Sequence, residues 1–435
     1  MNSQYDAVII GAGVIGAATA FELAKRGYHT LNVDKLPAAG YGSTGASCAV
    51  CRTHYSTVDG TALAYESFLH WKDWPNHLGT EDERGYARLI QTGMVVIKSQ
   101  TQDFQKHLRH HDALGIEYEE WDVETLKSKL PFLDVSEFYP PRRADDEDFG
   151  KPTGSTISGA IYIPAAGYVN DPQLSAHNLQ RAAEAHGAEF LFNAEVVEIG
   201  KRDGRVTGIT LKDGQAIDTP VVVNVAGPHS FVINRMAGVD DAMNLKTRAL
   251  RVEVHYLPRP DDGTIHDLSP LMSDGDIGVY SRSVVGELLL VGSQDPECDI
   301  KEWIDDPDEF NREVTDEQWQ SQVYRMGLRM PNLKIPNRPK GIADLYDVSD
   351  DWMPIYDRSD LDGFYMAVGT SGNQFKNAPM AGVLMAELIT ACEQGHDHDR
   401  DPVQVKGHYT DFTFNVGFYS RNREVNRDSS FTVLG

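Results

Sequence analysis

The chain sets short, wholly apolar runs between glycine-centred turns and amphipathic stretches, and that pattern predicts an α/β protein. Residues 6–10 (DAVII) predict a short buried strand. Gly11, Gly13 and Gly16 follow as G-x-G-x-x-G, and an apolar helix runs on to about Lys25 and stops at Gly27. HTLNVD predicts a second strand, ending at Asp34. Further along, ARLIQTGMVVIKS (87–99) predicts strands and QTQDFQKHLRHHDALG (100–115) a helix. Residues 159–190 predict strand, turn and helix, capped by Asn170 or Asp171 and ended by Gly187. Three short strands broken at Asp203-Gly204 and Asp213-Gly214 come next. The buried run TPVVVNVAGPHS (219–230) then closes on Gly227-Pro228.

From about 240 to 335 the strand pattern dominates, in ALRVEVHYL, GVYSRSVV and ELLLVGS, with a more helical interval at 307–329. GFYMAVGTSGNQFKNAPMAGVLMAELITACEQG (363–395) predicts strand, glycine turn and long helix. PPRRADDEDFGKPTG (140–154) is a charged, proline-bearing loop that reads as a crossing between domains. The polar tail after about 396 is expected along the surface.

With 435 residues and roughly 100–200 residues per domain, two domains are expected. The composition, 41% apolar and 24% charged, is that of a soluble globular chain. A formal charge of −25 argues against nucleic acid or an anionic membrane surface as partner, and it means that an anionic substrate needs a locally basic pocket. The stretch AVIIGAGVIGAATAFELA approaches bilayer length, but three glycines and the nearby Asp6 and Glu22 favour strand plus helix over a membrane span. Four cysteines do not make a disulfide framework, and the start lacks a basic segment of signal type, so a cytoplasmic protein with reduced thiols is expected.

The first chemistry lies in the glycine turn. It follows a strand, opens a helix, and has an acid about 20 residues on, the context of dinucleotide binding. Glycines let the backbone approach a pyrophosphate at the helix N-terminus, and Asp34 is placed to accept from an adenosine ribose. His107, His110 and His111 are expected on the solvated side and end of their helix, and GHDHDR (395–400) in a solvated loop; no metal site is expected.

Five stretches in order carry a resemblance: GAGVIGAATAFELAKRGYHTLNVDK, GSTGASCAVCRTHYS, GAIYIPAAGYVNDP, VVVNVAGPHS and GTSGNQFKNAPMAG. Together they resemble the glycine/sarcosine oxidase family within the D-amino-acid-oxidase superfamily of FAD enzymes. The opening stretch and long tail are most similar in style to the β subunits of multimeric sarcosine oxidases. The resemblance implies a Rossmann-like FAD-binding domain (1–83, 152–238 and 337–435) interleaved with a substrate domain (84–151 and 239–336) built on a large, mostly antiparallel sheet.

It also implies an activity. Family members oxidise an amino acid at a C–N bond, with hydride passing to flavin N5 and an imine that water hydrolyses. Expected substrates are small carboxylate-bearing amines such as sarcosine, glycine, dimethylglycine or iminodiacetate, with O2 or an electron carrier as acceptor. The implied FAD contacts are Gly11, Gly13, Val14, Ile15 and Gly16; Asp34 and Lys35; Gly42, Ser43, Thr44 and Ser47; Val196, Ala226 and Gly227; and Gly372, Asn373, Gln374, Phe375 and Lys376.

Arg52 and Lys376 match the residues that hold the substrate carboxylate, a task suited to a bidentate guanidinium. Tyr55, Tyr280 and Tyr346 match active-site aromatics, His54 is a candidate base, and Arg282 a candidate partner for a second carboxylate. Asp344 stands where the monomeric sarcosine oxidase pattern has its flavin-tethering cysteine, so non-covalent FAD is expected. Leu290 stands where that pattern has its oxygen-activating lysine, which leaves the electron acceptor open.

Two other readings compete. Cys48 and Cys51 form a C-x-x-C after a dinucleotide turn, as in flavin-linked disulfide reductases, but no second G-x-G-x-x-G follows a strand to take a nicotinamide cofactor. Alternatively the chain is a non-catalytic or partner-dependent subunit of a sarcosine-oxidase-like assembly, or a homo-oligomer; the presence of both Arg52 and Lys376 speaks for catalysis.

Overall fold

The apolar run Ala7–Ile10 is buried on both faces, which explains why it does not alternate with polar residues. It lies inside a six-stranded sheet ordered Ile355–Arg358, Phe364–Val368, Val222–Asn224, Ala7–Ile10, Thr30–Val33, Glu189–Leu191. All neighbours run parallel except the first pair. Successive side chains point to opposite faces. Ala7 and Ile9 therefore join the helices Val14–Lys25, Pro172–Ala185 and Ala378–Glu393 in one core. Val8 and Ile10 meet the small sheet of strands between Val196 and Asp218, with the helix Ser230–Ala237, in a second. This computed structural model describes residues 4–435 except 101, 102, 261, 262 and 264; Thr101 and Gln102, at the start of the predicted helix 100–115, lie outside the described residues.

The second sheet has nine strands and is antiparallel except where Leu271–Asp274 runs beside Met94–Ile97. Its long central strand Thr247–Pro258 pairs with Leu288–Ser293, Glu302–Ile304 and Gly341–Ser349. Strands Ala160–Ile163 and Gly341–Ser349 fall within sequence segments assigned to the FAD-binding part, yet both pair into this sheet. The chain thus crosses between the sheets more finely than boundaries at 152 and 337 draw it.

Two expectations about the surface are corrected. In the helix Phe104–Leu114, His107 and His111 are buried rather than solvated, because the helix packs on segment 53–55. His107 Nδ1 lies 2.7 Å from the Tyr55 carbonyl, and His111 Nε2 3.3 Å from Thr53 Oγ1. Burial pushes both imidazoles down to about 4. The polar tail, likewise, does not simply lie on the surface. Its Arg421 is fully buried between Asp357 and Asp399, its His398 is buried beside Asp357, and its last residues reach the central cavity.

The helix Asp316–Arg329, shorter than the helical interval expected at 307–329, anchors the large sheet through its last residue. Arg329 is wholly buried and donates to Asp274 at 2.7 Å, to Asp276 at 2.8 Å and to the carbonyls of Asp134 and Ser136. Asp276 in turn accepts the Phe138 and Tyr139 N–H groups, so one cation fixes sheet, helix and loop together. Arg329→Ala leaves two carboxylates buried without their partner and is expected to lower the unfolding free energy by about 3–5 kcal/mol, read as a lower urea midpoint.

Candidate active site

Where the two sheets approach, a cavity of about 610 Å³ runs from the glycine turn to the segment after Val50. At one end Gly11, Gly13, Val14 and Ile15 line it, as expected for cofactor contacts. Gly16 does not. A Cβ there would stand 2.2 Å from the Gly11 carbonyl oxygen, so Gly16 serves the tightness of the turn. The helix Val14–Lys25 starts at Gly13 with no side-chain cap and no acidic residue in its first turn, a donor set suited to a pyrophosphate.

Asp34 lines the same end and holds its shape: one carboxylate oxygen accepts the Ala12 N–H at 2.7 Å and the other the Leu36 N–H at 2.8 Å. Burial pushes its pKa up while these N–H groups pull it down, and burial prevails. Each oxygen retains a lone pair for a ribose hydroxyl. Lys35 closes over this end, paired to Asp308 from the large-sheet part and 2.9 Å from His229.

The loop after the second strand ties cavity to fold. Thr44 Oγ1 accepts the Val14 N–H at 3.0 Å, and Ser43 Oγ donates to the Leu345 carbonyl at 2.9 Å. Gly42, Ser47, Val196, Ala226 and Gly227 also line the cavity. The elongated groove, the helix start without an acidic residue in its first turn and the ribose-side carboxylate together fit an extended dinucleotide.

The strand Val50–Cys51 pairs with Gly167–Val169 and delivers Arg52 to the far end. Lys376 arrives from the opposite end of the sequence on the single turn Phe375–Asn377. Both cations are at least nine-tenths buried. They lie over one ring: the Arg52 guanidinium carbon is 4.2 Å and Lys376 Nζ 5.1 Å from the Tyr55 centroid. The Asn373 carbonyl accepts from both Tyr55 Oη, at 2.7 Å, and Lys376 Nζ, at 2.6 Å. Arg52 donates only to backbone carbonyls, those of His54, Val433 and Leu434. Burial lowers the pKa of each cation, and the Arg52 charge lowers Lys376 further. Among the described residues no carboxylate pairs with either, so the arrangement is built to receive an anion.

Gly372, Asn373, Gln374 and Phe375 line this end as expected. Gly372 has φ +68°, and a Cβ there would stand 2.3 Å from the Tyr346 ring, so the turn is moulded to that tyrosine. Tyr280 and Tyr346 both line the cavity, and burial holds both hydroxyls well above the usual phenol range.

Other expectations are revised. Tyr55 does not line the cavity; it lies behind it as the platform under the two cations, its hydroxyl pushed up to about 12 by burial. His54 also lies behind, its ring 3.8 Å from that of His107, and it contributes its carbonyl to Arg52 rather than a base to the cavity. Arg282 is spent on the Cys48 and Ser283 carbonyls and the Tyr168 ring, and does not reach the cavity. The thiols of Cys48 and Cys51 are free, but burial raises both, Cys51 to about 12, which suppresses the reactive thiolate. Cys48 touches the cavity and lies 3.1 Å from Tyr280 Oη.

Of the lining residues that the sequence did not single out, three bear on the substrate end. Asp347, directly after Tyr346, accepts the Gly369 N–H at 2.6 Å on its carboxylate and the Ser371 N–H at 2.6 Å on its carbonyl, and so shapes the glycine turn. Burial pushes its carboxyl up to about 7. Its neighbour Tyr346 was the only signal for it. Val433 and Leu434 had none, since nothing in a polar tail marks where it returns.

Known proteins resemble this arrangement. The sequence model of the family described as "FAD dependent oxidoreductase" matches residues 6–388. Sarcosine oxidase subunit beta from Rhodobacter capsulatus is 24% identical over 397 residues, 89% of this chain and 85% of that protein. The crystal structure of L-proline dehydrogenase from P. horikoshii superimposes with a TM-score of 0.75 at 22% identity, covering 97% of this chain and 98% of that one. Glycine oxidase from Geobacillus kaustophilus gives 0.72 at 19% identity, covering 98% and 100%.

Proposed function

Because the chain belongs to the family of FAD-dependent oxidoreductases, we propose that it oxidises the C–N bond of a small amine bearing one carboxylate, an N-substituted glycine such as sarcosine or a near relative. The observation that carries this reading is the buried pair Arg52 and Lys376 over Tyr55, two cations with no carboxylate of their own. The names of the similar proteins, a sarcosine oxidase subunit, a proline dehydrogenase and a glycine oxidase, all concern amines that carry a carboxylate.

FAD, when bound, supplies the acceptor for a hydride from the carbon that bears the amine. The chain's part is placement. Arg52 grips the substrate carboxylate through paired N–H donors, Lys376 adds a point charge, and Tyr55 fixes both so that little ordering remains when substrate enters. Tyr280 and Tyr346, held neutral by burial, wall the substrate against water. The imine leaves to be hydrolysed. With Arg282 engaged by Cys48, a second carboxylate finds no partner there, which favours monocarboxylates over iminodiacetate.

FAD is proposed to be held without a covalent bond. Asp344 occupies the cavity position matched to a tethering cysteine, its Oδ1 accepting the Leu345 N–H at 2.7 Å. Leu290 is buried in the sheet, off the cavity, and supplies no cation for oxygen.

Acid denaturation is expected to release the yellow colour into the supernatant; colour in the pellet contradicts a free cofactor. Anaerobic mixing with sarcosine, glycine, dimethylglycine, proline and iminodiacetate should bleach the flavin with at least one monocarboxylate, and admission of air then separates oxidase from carrier-linked dehydrogenase. Arg52→Ala should raise KM about a hundredfold with FAD content unchanged. A FAD-loaded chain that no amino acid bleaches would favour the partner-dependent subunit. The pH profile follows from Lys376: it is charged below its lowered pKa and neutral above, so carboxylate affinity is full at low pH and is lost as pH rises through that value. The falling limb of kcat/KM should therefore lie below the ordinary lysine value of 10.5 and vanish in Lys376→Met.

A further inference from the structure

Segment 429–435 returns from the polar tail to the substrate end of the cavity, where Val433 and Leu434 line it. One terminal nitrogen of Arg52, Nη2, donates to the Val433 carbonyl at 2.9 Å and to the Leu434 carbonyl at 2.8 Å, while Nη1 is taken by the His54 carbonyl. Ser56 holds an oxygen of Gly435 through its N–H at 3.2 Å and through its hydroxyl. The segment thus covers Nη2, one of the donors that a substrate carboxylate requires.

Apart from these bonds to Arg52 and Ser56, its hold on the rest of the molecule is small. Val433 packs on Leu250, Val348 and Trp352, and its N–H reaches Asp295 at 3.3 Å. Phe431, just before it, has φ +54° and is more than one-third exposed, a left-handed position that a bulky residue adopts only at a cost. Once its bonds to Arg52 are exchanged for those of a substrate, one apolar anchor and the contacts to Ser56 and Asp295 are what remain to hold the segment closed. Against it stands a difference of charge: Val433 and Leu434 offer Arg52 neutral carbonyls, whereas a substrate carboxylate offers a full negative charge.

We propose that segment 429–435 is a gate on the Arg52 carboxylate site, closed by its own backbone carbonyls and displaced by the carboxylate of the substrate. The inference rests on the reading of Arg52 as a carboxylate donor. Substrate binding and gate opening are then one linked equilibrium, and apparent affinity is reduced by the fraction of molecules that are closed.

Acetate, which has the carboxylate but no oxidisable amine, tests this in the FAD-loaded protein by titration of the flavin difference spectrum. Removal of residues 431–435 should tighten acetate binding about tenfold, and Val433→Ala, which keeps the backbone but shortens the anchor, should shift it in the same direction. In the full chain, acetate should also speed tryptic cleavage after the exposed Arg427. Unchanged or weaker acetate binding in both variants, with cleavage unaffected or slowed, would show that the segment completes the site instead of closing it. Absence of any acetate signal in all three FAD-loaded chains would remove the carboxylate site itself, and the gate with it, a result distinct from the preceding one.

Discussion

The catalytic end of this protein depends on two cations buried side by side over one phenol ring. Taking Arg52 and Lys376 out of water costs several kcal/mol for each ion, and their mutual repulsion adds to that. The Tyr55 π-face and a small set of backbone carbonyls offset part of the cost. The remainder stays as lowered pKa values, so the site binds an anion more strongly than either side chain would alone on a surface. In a chain of net charge −25 this is a local inversion of potential, and it sits where catalysis needs it.

The rest of the fold keeps that pair against a cofactor groove. Strand Val50–Cys51 sets Arg52 by pairing with Gly167–Val169, and the turn before helix Ala378–Glu393 sets Lys376. That helix, like Val14–Lys25, begins without a side-chain cap and without an acid in its first turn. Of the two, the start of Val14–Lys25 lies on the cavity, with Val14 and Ile15 lining it. Asp34 and Asp347 play matching parts at the two ends, each using a buried carboxylate to hold backbone N–H groups in a glycine turn.

Chemical selectivity follows from what the structure silences. Burial raises the two thiols of the C-x-x-C, so the sequence feature that suggested disulfide chemistry is muted by its surroundings. Arg282 is satisfied by carbonyls and by the Tyr168 ring. One guanidinium and one ammonium remain at the cavity without a carboxylate partner among the described residues, and the proposed monocarboxylate amine rests on that pair.

The sequence alone determined the dinucleotide turn and the strand and helix order around it, because short-range apolar periodicity and glycine spacing are local properties, whereas the mostly antiparallel second sheet was legible only through the family resemblance. The sequence could not show that Gly16, His54 and Tyr55 lie off the cavity, since that depends on which face of the chain meets it. His107, His111, Arg421 and the last residues of the tail were read as solvated because polar residues usually are. Only the tertiary structure decided otherwise: the helix after residue 103 packs on segment 53–55, and the tail crosses Asp357 to end at Arg52. Such contacts join residues hundreds of positions apart, and no local pattern of hydrophobicity or charge encodes which distant carbonyl a buried guanidinium will meet.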